Sequence, residues 1–73
     1  MTNSIMTKKN YWVLHLYTDK EKTDLFKIMT FDTIKDISIV IGEKPQVISN
    51  YFHSLIKARG MLEYCILYQS IPL

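Results

Sequence analysis

Between Lys44 and Gly60 the chain carries side chains suited to hydrogen bonding along a nucleic acid. Gln46, Ser49, Asn50 and His53 fall largely on one side of a helical pattern, with Lys44, Lys57 and Arg59 around them. Amide, hydroxyl and imidazole groups can pair with base edges in a major groove, and Lys or Arg with phosphate or guanine. A merely solvated helix face is more often filled with Glu and Lys. The interval holds no acidic residue, whereas Asp19, Glu21 and Asp24 gather well before it. A net charge of only +2 therefore rules out polyanion binding by bulk charge, yet leaves room for a local positive face.

Two helical patterns joined at Gly42 must position these groups. In the first, Ile34, Ile37, Ser38 and Ile41 recur at i, i+3, i+4 and i+7 and form a core face. In the second, Ile48, Tyr51, Phe52 and Leu55 repeat that spacing, which predicts a helix over 45–56 with its polar residues turned outward. Gly42 can take the positive φ that ends a helix sharply. Pro45 suits a first helical turn, and it also disfavours helical backbone at Lys44. Small Ser38 allows close approach of the second helix, and Ile48 plugs the angle between the two. This is the spacing of a helix-turn-helix whose recognition helix carries Val47, Ile48, Ser49 and Asn50.

Around this unit the chain reads as short strands. YWVLHLY, 11–17, is β-branched and aromatic-rich, with Trp12, Leu14 and Leu16 on one face and Tyr11, Val13, His15 and Tyr17 on the other. Both faces are apolar or aromatic, and two helices can cover only one, so the hairpin invites a second copy of the chain; Trp12, Leu14 and Leu16 are the expected dimer contact, with the opposite face as the other choice. TDKEKTD, 18–24, is a charged turn, and LFKIMT, 25–30, returns as a strand, although its propensities also suit a helix. Asp32 or Thr33 caps the first helix, Thr33 approximating a capping box with Asp36. Ile39 and Val40 lie off the main face, available to the sheet or to a subunit contact. Lys57 and Arg59 can satisfy a helix end as well as clamp phosphate. After Gly60, MLEYCILYQ, 61–69, alternates as a closing strand. The expected fold is a small single α+β domain over 11–70, hairpin then helix-turn-helix then strand, winged-helix-like, with a flexible arm at 1–10 and a short tail at 71–73.

The segment from Thr30 to Tyr64 resembles the small helix-turn-helix DNA-binding repeats that accompany intron-encoded and homing endonucleases. Phe31, Thr33, Ile37, Gly42, Ile48, Ser49, Lys57 and Gly60 carry the likeness, which spans about half the chain. Glu43 stands where those repeats have an aliphatic residue, and the closing strand lacks their tryptophan. The sequence shows no paired-carboxylate site, metal-binding His cluster or Gly-rich phosphate loop, so the resemblance implies binding without cutting.

Seventy-three residues make one domain with a limited core, compact or shared. A lone cysteine, Cys65, excludes an internal disulfide, and Cys65, His15 and His53 are too widely spaced for zinc. No cofactor is expected. His15 lacks a catalytic partner at a recognisable spacing. Without a disulfide framework or secretory leader, the expected setting is intracellular, cytoplasmic or nucleoid-associated, with a host nucleus also open. The leading expectation is a homodimeric, sequence-specific reader of double-stranded DNA, most naturally a repressor or other regulator. In that role Gln46, Ser49, Asn50 and His53 contact bases, and Lys44, Lys57 and Arg59 contact phosphates. A protein-interaction module or inhibitor using an aromatic sheet is the alternative; a small enzyme ranks below both.

Overall fold

The computed structural model describes residues 10–71. The expected arm and tail therefore lie, except for Asn10 and Ile71, outside the described residues. Three antiparallel strands form one sheet in the order β2-β1-β3: β1 Tyr11–Tyr17, β2 Leu25–Phe31 and β3 Cys65–Ser70. The segment from Leu25, readable as strand or helix, is a strand because it pairs with β1, Trp12 opposite Phe31 and Leu14 opposite Met29. Its register slips at Leu16/Tyr17. The long turn between β1 and β2 needs no glycine. Lys22 takes φ 60 there, and the Asp19 carboxylate accepts from the Thr23 and Asp24 N–H groups, each at 3.0 Å. The Thr23 hydroxyl, first, and these backbone donors hold the Asp19 carboxyl below its usual range.

Two helices cover one face of the sheet. In α1, Ile34–Ile41, the Thr33 hydroxyl caps the helix by accepting from the Asp36 N–H at 3.2 Å. Gly42 ends it at φ 80, donating to the Ser38 carbonyl at 2.9 Å. Pro45 then opens α2, Pro45–Phe52, which stops four residues short of the expected 45–56. The reason is a Schellman turn built without glycine. Ser54 sits at φ 61 and donates to Tyr51 O at 3.0 Å, while Leu55 N donates to Asn50 O at 2.8 Å. Leu55, expected on the core face, is consequently 71% exposed.

The closing strand also starts later than the alternation suggests. Gly60–Tyr64 form a short 3-10 helix, and β3 begins at Cys65. A strand would send Leu62 and Cys65 to opposite faces, whereas the three-residue period of a 3-10 turn puts both inward. Both are fully buried. Lys22 Nζ ties the hairpin turn to this helix by donating to Glu63 O at 3.1 Å.

The core gathers Trp12 and Leu14 from β1, Ile37 and Ile41 from α1, Ile48 from α2, and Leu62 with Cys65. The Trp12 and Phe52 rings meet edge to face at 4.7 Å. This corrects the expected dimer contact. Trp12 and Leu14 are buried, and Leu16 packs against the same cluster, so the helices already occupy that side of the hairpin. The strand registers place His15, Ile28 and Ile66 across the opposite face, with Val13 beside Tyr68. Ile39 and Val40 are exposed on α1 rather than packed on the sheet. Among the described residues, no helix is long and apolar enough to cross a membrane.

Candidate nucleic-acid interface

The amphipathic register of α2 decides what faces outward. Ile48 is completely buried, and helical geometry places residues 46, 50 and 53 on the opposite stripe. Gln46 and His53 are exposed there, and Asn50 is half-buried. The Gln46 amide nitrogen donates to Asn50 Oδ1 at 2.9 Å. That bond uses a Gln46 N–H and the Asn50 carbonyl oxygen, so the Asn50 NH2 and the Gln46 carbonyl oxygen remain as a donor and an acceptor on the same stripe. Such a pair matches the alternating donor and acceptor groups of base edges. Ser49 lies to one side of this stripe and is half-buried. His53 stands at the C-cap, its ring 5.1 Å from Phe52. Gln46 and Asn50 thus form the geometric centre of the expected base-contacting set, with Ser49 and His53 at its margins.

The expected phosphate contacts divide. Lys44 is exposed at the N-cap of α2, in extended backbone, and no side chain caps that helix end. Lys57 is exposed in the irregular stretch that follows the Schellman turn, not at a helix end. Arg59 is already engaged. Its Nη2 lies 3.0 Å from Glu43 Oε1, and its Nε donates to Oε2 at 3.4 Å. The Glu43 side chain is only 17% exposed, against 63% for Arg59. Glu43 sits tightly over the chain here, for a Cβ on Gly60 would come within 3.3 Å of its Oε2. Reading charge from Lys44 onward missed this pairing by one position. The signal in the sequence was the acid immediately after the turn glycine.

Elsewhere the titratable groups are structural. Burial pushes the Cys65 thiol up to about 11, with Lys22 opposing the shift, and burial also raises the Tyr51 phenol, whose hydroxyl donates to Cys65 O at 3.4 Å. His15 Nε2 lies 3.1 Å from the Tyr68 hydroxyl on the outer sheet face. Among the described residues, no group of three or more His, Cys, Asp or Glu side chains is placed to hold a metal ion. No family model, curated protein or solved structure matches this chain.

Proposed function

We propose that the chain is a sequence-specific double-stranded DNA-binding protein that lays α2 in the major groove and acts as a repressor or other regulator. The observation that carries this reading is the outward stripe of α2. It is uncharged and rich in hydrogen-bonding groups, with the Gln46 and Asn50 amides held together at 2.9 Å on a helix fixed by a glycine turn. Gln46 and Asn50 would read base edges, with Ser49 and His53 flanking them. Lys44 and Lys57 would hold phosphates, and Arg59 would join them only on leaving Glu43.

Selection from a random pool of duplex DNA, at low and physiological salt, tests the reading. Enrichment of a defined site supports it; binding that is lost with salt and enriches nothing reduces it to non-specific attraction. No binding at low salt overturns it.

The Glu43–Arg59 pair makes a second prediction. Glu43→Gln should release the guanidinium and tighten binding to every duplex, steepening the slope of log K against log salt by about 0.9, the value of one added phosphate contact. Arg59→Ala should leave that slope close to wild type. A Glu43→Gln slope unchanged from wild type would show that Arg59 is out of reach of the duplex.

The exposed sheet face favours one further reading, a contact with another protein. Such a contact would be far less salt-sensitive than DNA binding, which separates the two.

A further inference from the structure

Gln46 and Asn50 stand one helical turn apart on α2, on the stripe opposite buried Ile48. Their amides meet at 2.9 Å, Gln46 Nε2 donating to Asn50 Oδ1. A bonded pair of primary amides keeps one NH2 group and one carbonyl oxygen out of the bond. Here these are the Asn50 NH2 and the Gln46 oxygen; with both amides turned over they would be the Gln46 NH2 and the Asn50 oxygen. Whichever way the pair is made, it offers a donor and an acceptor together. We propose, resting on the DNA-binding reading above, that this pair recognises a single adenine through its N7 and N6 groups, and that a methyl group on N6 of that adenine blocks the contact.

Adenine alone among the four bases shows an acceptor and a donor side by side in the major groove, N7 beside the N6 amino group. The free NH2 would donate to N7, and the free carbonyl oxygen would accept from N6–H. Guanine presents two acceptors, N7 and O6. One of them would face the free carbonyl oxygen, and turning that amide away breaks the bond between Gln46 and Asn50. Thymine offers one acceptor and a methyl group, and cytosine one donor, so each leaves half of the pair unsatisfied. An unpaired polar group shut away from water costs more than a formed hydrogen bond gains, which turns the mismatch into discrimination.

The bond between the amides also prepares them. It joins two flexible side chains before any DNA arrives, so less rotamer freedom remains to be lost on docking. Asn50 is half-buried and Gln46 exposed, so the Asn50 end is the better anchored. Gln46 lies in the first turn of α2, and recognition helices reach base edges with their N-terminal residues.

The N6 amino group makes this contact sensitive to modification. In an A·T pair one N6–H is donated to thymine and the other faces the major groove. A methyl group on N6 must take the outer place if the base pair keeps its own hydrogen bond. It removes the hydrogen that the carbonyl oxygen accepts and leaves that oxygen against a carbon. Occupancy of the site would then depend on the methylation state of the DNA.

The test takes a duplex selected by this protein from a random pool and replaces its adenines one at a time with 7-deazaadenine, which lacks the N7 acceptor, or with N6-methyladenine. Wild-type protein should lose at least about fivefold in affinity with either analogue at one and the same position. Gln46→Ala and Asn50→Ala, each folded by circular dichroism, should be nearly indifferent to both analogues there, with losses under about twofold. Adenines that all tolerate both analogues, or a G·C pair at the position where the two alanine variants lose discrimination, overturn this proposal and leave the DNA reading standing. Sensitivity that persists unchanged in both variants assigns that adenine to other side chains and overturns it as well. Failure to enrich any site defeats the sequence-specific reading and this inference with it.

Discussion

Trp12→Ala should strip the chain of a large share of its stability in dilute solution. Trp12 lies on the central strand, buried and stacked edge to face on Phe52 at 4.7 Å, so its removal deletes one contact between α2 and the sheet as well as a large apolar volume. Truncating a buried tryptophan costs about 3–5 kcal/mol. A chain of 73 residues, at roughly 0.05–0.15 kcal/mol per residue, holds only about 4–11 kcal/mol in all. Chemical unfolding followed by far-ultraviolet circular dichroism measures the loss, since the variant has no tryptophan to fluoresce. Ile28→Ala, on the uncovered face, should unfold close to wild type in dilute solution. If Trp12→Ala instead kept the wild-type midpoint and lost self-association, the helices would not be what covers that side of β1.

Gln46→Ala and Asn50→Ala should each remove about 1–3 kcal/mol of discrimination between a selected site and a scrambled one, equal to some 5- to 150-fold. Because the two amides bond to each other, the effects should not add: removing either also frees the partner to rotate. The double variant should lose little more than the worse single one. Lys44→Ala and Lys57→Ala should behave differently, weakening both duplexes alike and each reducing the salt slope by about 0.9. Competition binding with the two duplexes at several salt concentrations reads both quantities. Retained discrimination in Asn50→Ala and Gln46→Ala together would place the reading surface elsewhere on the chain.

The parts of this fold legible in the sequence are those fixed by neighbours along the chain. The isoleucine spacing, the Thr33 cap, Gly42 and Pro45 locate both helix starts and the turn, and the structure keeps them. What escaped was set by contacts across the chain or by residues acting outside their usual preference. Ser54 adopts the left-handed conformation that a glycine would have advertised, so α2 ends early and Lys57 and Arg59 lie well beyond the helix end they were expected to flank. Leu62 and Cys65 are three apart, a spacing that alternation cannot bury on one side but a 3-10 turn can. The two faces of β1 are almost equally apolar, so composition could not say which one the helices choose. Pairing of Arg59 with Glu43, sixteen residues earlier, follows no helix or strand spacing, and only the acid beside the turn glycine hints at it.

The buried thiol of Cys65 gives the chain a built-in reporter. Thiol reagents attack the thiolate, and a group held near 11 inside the core supplies almost none at neutral pH. Labelling of the native protein must therefore wait for Leu62 and β3 to lift away from the helices. The rate of modification of this single sulfur counts those openings one by one, and its dependence on denaturant separates a local breathing of the last strand from unfolding of the whole domain.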